Sequence, residues 1–125
     1  MRVLLDTHLL LWVLKQPASK VSTVLRRRID NAEVFISAAS IWEISVKAAL
    51  GKLKADPNQV LEAIEPAGFN MLAITGLHAA KVAALPPVHS DPFDRMLVAQ
   101  ALVEPMILLT NDRALAGYGA VVSVA

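Results

Sequence analysis

The chain has 125 residues, of which 55% are hydrophobic and 18% are charged, and its formal net charge is +1. This length and composition fit one globular domain and exclude a disordered chain. A net charge this close to zero excludes a protein that holds nucleic acid through a broad positive field, so any nucleic-acid contact has to be local. The chain has no cysteine, so carboxylates, histidines and hydroxyls have to carry any chemistry.

The longest unbroken apolar run, Leu9 to Leu14, is much shorter than the roughly 20 residues that a membrane-spanning helix needs. Near the N-terminus, Asp6 interrupts the apolar segment from Arg2 to Leu5, which differs from the pattern of a secretory signal. We therefore expect a cytoplasmic protein without a membrane segment.

Strand-like and helix-like segments alternate along the chain, which is the pattern of βαβ units around a parallel sheet. The first predicted elements are a strand at Arg2 to Leu5, a helix carrying Leu9 to Leu14, a second helix opening near Ser19, and a strand at Val34 to Ile36. The second helix has Val21, Val24, Leu25 and Ile29 at helical spacing. The two helices are expected to form a hairpin.

Serine, aspartate, proline and glycine mark the boundaries of the later elements. Ser37 or Ser40 can cap a helix that runs to Gly51, and Asp56-Pro57 has the order of a helix start, with an end near Pro66 to Gly68. The remaining predicted elements are a strand at Met71 to Ile74, a helix from Thr75 through Val82, a helix from Asp91-Pro92 to Glu104, a strand at Met106 to Leu109, a helical turn at Asp112 to Ala116 and an edge strand at Ala120 to Val124.

Four acids fall where a parallel sheet places its ligand site, beyond the carboxyl ends of the strands. Asp6 ends the first strand, Asp112 follows the fourth strand, Asp94 lies in the first turn of its helix, and Glu43 lies about one turn inside another helix. If the sheet order brings these ends together, the four carboxylates share one pocket. Crowded like charges destabilise a fold unless a divalent cation neutralises them, and oxygen ligands favour Mg²⁺ or Mn²⁺. Hydrolysis of a phosphodiester in RNA or DNA is the reaction that suits such a site.

Each acid also has a purely structural explanation. Asp6 and Asp112 can cap the helical segments that follow them, and Glu43 can form an exposed ion pair with the lysine four residues later. Asp91 and Asp94 match a helix cap and an acid in the first turn, which complement the helix dipole. The metal-site hypothesis therefore depends on all four acids lying together.

The order of four short motifs along the chain resembles the PIN-domain family. These motifs are Leu5-Asp6-Thr7 after an apolar strand, Trp42-Glu43, Asp91-Pro92-Phe93-Asp94-Arg95, and Leu109-Thr110-Asn111-Asp112. They cover nearly the whole chain, and the preceding His89-Ser90 makes the third motif similar to one VapC-type branch of that family. The resemblance implies a single PIN-like domain over residues 1–125, with an α/β fold in which a central, mainly parallel sheet forms the middle of a three-layer αβα sandwich.

The same resemblance implies an Mg²⁺- or Mn²⁺-dependent endoribonuclease that is the toxin of a type II toxin–antitoxin pair. Asp6, Glu43, Asp94 and Asp112 would be both the catalytic and the metal-binding residues, and Thr110 would support the site through its hydroxyl. The resemblance further implies a homodimer and a small antitoxin whose apolar and basic segment covers the helical hairpin and the site.

Other residues near the acids leave more than one role open. Asp91 precedes a proline, which suits a helix cap better than an indirect metal contact. Arg95 and Arg113 directly follow site acids, so they can either bind substrate phosphate or pair with the acids. The resemblance implies that metal-activated water needs no histidine. The three histidines are therefore poor candidates for a general base: His8, His78 and His89.

Two other functions fit parts of the pattern. A catalytically inactive PIN-like interaction module would share the fold, although the intact set of four acids argues against it. An aspartyl-phosphate enzyme or receiver domain also places acids at strand ends, but the phosphohydrolase type needs a second acid at the position of His8. The basic run Arg26-Arg27-Arg28 fits a solvated helix face and also a contact to RNA or a partner.

Overall fold

A computed structural model of the protein describes residues 1–15 and 22–125. The strands and helices, in chain order, are β1 (Arg2–Leu5), α1 (Thr7–Lys15), α2 (Thr23–Asp30), β2 (Glu33–Ser37), α3 (Ala38–Ala49), α4 (Pro57–Ile64), β3 (Asn70–Leu72), α5 (Gly76–Lys81), α6 (Pro92–Val103), β4 (Ile107–Thr110) and β5 (Val122–Val124). Two 3-10 helices cover Val82–Ala84 and Arg113–Tyr118. Within the described ranges, no helix is both long and apolar enough to cross a membrane.

The five strands form one sheet in the order β3-β2-β1-β4-β5, and every neighbouring pair is parallel. Val3 in the central strand is in register with Val34 on one side and with Ile107 on the other. Strands β2 and β3 therefore lie on one side of β1, and β4 and β5 lie on its other side. The carboxyl ends of β1 and β4 meet where the strand order reverses, which is the usual position of a ligand site in an open parallel sheet.

Helices cover both faces of the sheet and form two hydrophobic cores. On one face α1, α2 and α4 pack on β1 and β2, with Leu10, Ile29 and Val60 among the buried residues. On the other face α6 packs on β1 and β4, with Leu97 and Val98 buried. Helix α3 contributes to both cores. The predicted three-layer α/β sandwich with a mainly parallel sheet is confirmed, and β5 is an edge strand.

Several predicted helix starts are observed as side-chain caps. Ser37 rather than Ser40 caps α3, by accepting a hydrogen bond from the amide of Ala39. Asp56 caps α4 in the same way, and Thr75 caps α5. These caps satisfy amide groups that have no partner inside the helix.

Some predicted boundaries are wrong. The third strand ends at Leu72 rather than Ile74, because Leu72 pairs with Ser37 and β2 ends there, so later residues have no neighbouring strand. The edge strand begins at Val122 rather than Ala120. The second helix begins at Thr23, after its cap Ser22, and the predicted start near Ser19 and the residue Val21 lie outside the described residues, as does the connection of the predicted hairpin.

Candidate active site

Asp6 lies directly after β1 and is only 3% exposed. Its Oδ1 accepts a hydrogen bond of 2.8 Å from the amide of Leu9, and Thr110 at the end of β4 donates its hydroxyl to Oδ2. Burial raises the pKa of Asp6 above 3.8, although the hydrogen bonds from Thr110 and Leu9 oppose this effect. Asp6 therefore caps α1 and also brings a costly buried carboxylate to the junction of β1 and β4.

Glu43 is carried by α3 and is 4% exposed. Its Oε1 accepts a 2.7 Å hydrogen bond from the hydroxyl of Thr7, and its Oε2 lies 2.5 Å from Nζ of Lys47. The hydrogen bond to Glu43 is the main cause of a raised pKa at Lys47, and the charges of Asp91 and Asp94 also raise it. The i, i+4 ion pair considered from the sequence is present, but its carboxylate is buried rather than exposed.

Asp91 and Asp94 occupy the start of α6. Oδ1 of Asp91 accepts hydrogen bonds from the amides of Phe93 (2.8 Å) and Asp94 (3.0 Å), which is the cap expected from the sequence. Burial, followed by the negative charges of Asp91 and Glu43, raises the pKa of Asp94 to about 6. The charge of Asp6 also raises it, so the acids from β1, α3 and α6 interact with one another.

Asp112 joins this group through Thr110 and His89. The amide of Asp112 donates to Oγ1 of Thr110 over 3.0 Å, and its own carboxylate caps the following 3-10 helix through the amide of Ala114. Nε2 of His89 lies 3.6 Å from Asp112 Oδ2 and 3.8 Å from Asp94 Oδ2. Within the described part of the chain, one candidate ligand atom each from His89, Asp94 and Asp112 lie within 4.8 Å of one another.

The two arginines that follow site acids differ in their surroundings. The guanidinium of Arg95 donates to the backbone carbonyls of Val82, Pro86 and His89 and to the hydroxyl of Tyr118. It therefore holds the loop before α6, a role that the sequence did not suggest. Arg113 is exposed and forms no ion pair within residues 1–15 and 22–125.

The basic run at residues 26–28 lies on α2. Arg27 and Arg28 line a cleft with Met1 and Val3, at the amino end of β1. Nη2 of Arg28 donates to Ser123 over 2.9 Å, whereas Arg27 is exposed. The interpretation as a solvated helix face therefore fits Arg27 better than Arg28, and neither residue lies beside the acids.

Four acids thus converge at the carboxyl ends of β1 and β4, with Thr110 between two of them, Asp6 and Asp112. We call these acids the acid quartet: Asp6, Glu43, Asp94 and Asp112. The donor set fits a hard divalent cation, since the quartet offers carboxylate oxygens whose burial and mutual repulsion such a cation would offset. Sequence reasoning did not assign Thr7 to the site and gave His89 little weight. Thr7 follows Asp6 directly, but its partner lies in a distant helix, so no local signal identified it.

This fold and acid quartet define a class of α/β domain with a carboxylate site between its two central parallel strands. The sequence model of the PIN domain matches residues 3–120, so the chain belongs to the PIN domain family. A search of curated protein sequences found no significant match.

Solved structures with a similar fold span almost the full length of the chain. A toxin–antitoxin complex from Klebsiella pneumoniae matches with a TM-score of 0.68 and 17% identity, over 98% of this chain and 96% of that chain. VapBC2 from Rickettsia felis, bound to a DNA fragment from its promoter, matches with a TM-score of 0.70 and 14% identity, over 100% and 98%. VapBC-1 from nontypeable Haemophilus influenzae matches with a TM-score of 0.67 and 18% identity, over 94% and 92%. At these identities the likeness concerns the fold.

Proposed function

We propose that the protein is an Mg²⁺- or Mn²⁺-dependent endoribonuclease that acts as the toxin of a type II toxin–antitoxin pair. The convergence of the acid quartet at the carboxyl ends of β1 and β4 carries this proposal. Membership of the PIN domain family and the likeness to chains of toxin–antitoxin complexes support it.

The acid quartet would hold the metal through its carboxylate oxygens. A bound divalent cation would lower the pKa of a water molecule and stabilise the negative charge that develops on the scissile phosphate. The protein's own contribution is to fix the carboxylates in advance: Thr110 and the amide of Leu9 orient Asp6, and Thr7 and Lys47 orient Glu43. Such fixed groups need little rearrangement when charge develops during the reaction.

Basic side chains beside the quartet would supply the local attraction for phosphate that the near-neutral chain lacks overall. A cleft of about 280 Å³ next to Glu43 is lined by Lys47 and Lys52. Arg113, exposed beside Asp112, remains our candidate for binding substrate phosphate. Arg95 is assigned to the loop instead, because its guanidinium already donates to three carbonyls and a hydroxyl.

We also infer that the protein forms a homodimer and binds a small antitoxin protein in the cytoplasm. The similar solved chains come from complexes described as toxin–antitoxin or VapBC assemblies, which supports an antitoxin partner. Measuring molecular mass in solution, alone and after co-expression with a candidate antitoxin, tests both statements.

A cleavage assay on single-stranded and looped RNA tests the activity. We expect cleavage with Mg²⁺ or Mn²⁺, no cleavage in excess chelator, and a loss of at least about a hundredfold in Asp94→Asn and Asp112→Asn. The matched control is Asp56→Asn, because Asp56 is an exposed helix cap outside the quartet and asparagine caps equally well.

Full activity in excess chelator, or full activity in the two quartet variants, would contradict the proposal. A wild-type protein that binds a partner but cleaves neither RNA nor DNA with either metal would instead support an inactive interaction module. If the protein is active, sequencing the RNA ends produced during a short pulse of expression would identify its target.

A further inference from the structure

The imidazole of His89 faces the acid quartet with one nitrogen and the protein backbone with the other. Nε2 lies within 3.8 Å of Asp94 Oδ2 and 3.6 Å of Asp112 Oδ2. Nδ1 accepts a 3.1 Å hydrogen bond from the amide of Asp91, the residue that caps α6. The ring is therefore held in one orientation next to two of the four acids.

The contact to the backbone amide fixes the position of the ring proton. A neutral imidazole has one N–H group and one nitrogen lone pair, and the amide of Asp91 can only be a donor. The lone pair therefore belongs to Nδ1, and the hydrogen belongs to Nε2, the atom that faces the acids. Direct metal binding requires a lone pair on the ligating nitrogen, so Nε2 is unsuited to bind a metal in this orientation.

The backbone of His89 also forms hydrogen bonds. Its amide donates to the hydroxyl of Tyr118 over 3.1 Å, and Nη1 of Arg95 lies 3.3 Å from its carbonyl oxygen. Arg95 also donates to the Tyr118 hydroxyl over 3.1 Å. A side chain at Gly117 would come within 2.7 Å of Val88, so the loop packs closely on the neighbouring 3-10 helix. Arg95 and Tyr118 thus serve as positioning residues for His89.

From this geometry we propose that His89 is a substrate-binding residue whose Nε2–H donates a hydrogen bond to a phosphate oxygen of RNA bound at the acid quartet. The proposal rests on the ribonuclease function proposed above. An N–H donor suits this place because a phosphodiester approaching four carboxylates needs donors to offset repulsion, and a hydrogen bond to a charged oxygen is stronger than one to a neutral oxygen.

Two measurements on the whole chain separate a donor from a metal ligand without using cleavage. Nitrogen-15 NMR of protein labelled at histidine reads which ring nitrogen carries the proton, and His89→Gln assigns the signal. We expect the proton on Nε2. Electron paramagnetic resonance titration with Mn²⁺ should give dissociation constants for wild type and His89→Leu that agree within about twofold. A proton on Nδ1, or a loss of Mn²⁺ affinity of tenfold or more in His89→Leu, would overturn the proposal.

Cleavage kinetics on a mixed-sequence single-stranded RNA 20-mer test the donor role itself. We expect His89→Leu to lower kcat/KM by about tenfold or more, because a hydrogen bond to a charged group is lost. His89→Gln is the matched control, since its side-chain amide keeps an N–H donor at a similar reach, and it should stay within about threefold of wild type. Equal kcat/KM in wild type and His89→Leu would overturn the proposal.

Tyr118→Phe extends the test to the positioning residues while leaving the imidazole in place. Removing the hydroxyl should lower kcat/KM by a smaller factor than His89→Leu, and the two effects should be strongly non-additive in the double variant. Fully additive effects would contradict positioning through His89. A wild-type protein that cleaves no RNA would refute the proposed function, whereas active wild type with equally active His89→Leu would refute only the role of His89.

Discussion

The hydroxyl of Thr7 donates a 2.7 Å hydrogen bond to Oε1 of Glu43, joining the residue after Asp6 to a helix 36 residues further along the chain. Both residues are buried, so Thr7 replaces the water that the Glu43 carboxylate would otherwise bind. The oxygen of Ser40 lies a further 2.9 Å from the Thr7 hydroxyl. This contact sets where one acid of the quartet stands.

We predict that Thr7→Val weakens Mn²⁺ binding by about tenfold, because it leaves the shape of the side chain but removes a buried donor to a carboxylate. Thr7→Ser keeps the hydroxyl and should bind Mn²⁺ within about threefold of wild type. Isothermal titration with Mn²⁺ measures both variants. Wild-type affinity in Thr7→Val would show that Glu43 needs no support from Thr7.

Asp6→Asn should abolish cleavage and leave the metal-free protein as stable as wild type or more stable. Asparagine can still accept the hydrogen bond from Leu9, so the cap on α1 is retained, while the charge is lost and an amide NH2 replaces the oxygen that accepts from the Thr110 hydroxyl. Burial raises the pKa of Asp6, which means that its charged form is unfavourable in the fold, and removing the charge relieves this cost. Thermal melts with and without Mg²⁺ provide the measurement, and Mg²⁺ should stabilise this variant less than wild type. An active variant with a wild-type response to Mg²⁺ would remove Asp6 from the site.

The pKa of Asp94 predicts how the stability of the metal-free protein changes with pH. Burial and the charges of the neighbouring carboxylates raise this pKa from 3.8 to about 6, so between these values the folded state binds a proton that the unfolded state has released. The free energy of unfolding contributed by Asp94 therefore falls as pH rises from about 4 to about 6, by on the order of 2–3 kcal/mol in total.

Asp94→Asn should remove this dependence. Compared with wild type, the metal-free variant should be relatively more stable at pH 7.5 than at pH 4, as measured by urea unfolding in the presence of chelator. A difference between wild type and variant that stays constant across this range would mean that Asp94 titrates normally in the folded protein.

Lys47 acts as a positive charge built into the site, and its removal should have opposite effects on metal affinity and on stability. Without metal, Lys47→Gln leaves the buried Glu43 carboxylate without its ion-pair partner and should destabilise the protein by about 1–2 kcal/mol. With metal, the loss of a repelling charge should tighten Mn²⁺ binding severalfold. Lys81→Gln, an exposed lysine at the end of α5, is the control for loss of charge alone and should show neither effect. Weaker Mn²⁺ binding in Lys47→Gln would contradict the electrostatic argument.

Local signals in the sequence determined most of the secondary structure and the composition of the candidate site. Apolar runs located the five strands, and the caps at Asp56 and Asp91, and at Ser37 as one of two candidates, were readable because a helix start requires a nearby acceptor. The strand ends also indicated where Asp6 and Asp112 would lie. Boundaries were less accurate, as at Leu72, because a strand ends where its neighbour ends, and the neighbour is distant in sequence.

Only the tertiary structure decided which side chains meet. Thr110 and Asp6 are 104 positions apart, and their hydrogen bond exists because β4 pairs with β1, a sheet order that no local pattern specifies. The same holds for the Thr7 contact to Glu43 and for the contact of the His89 amide to the Tyr118 hydroxyl. Periodicity tells which face of an element is buried, but the partner on that face follows from the packing of the whole chain.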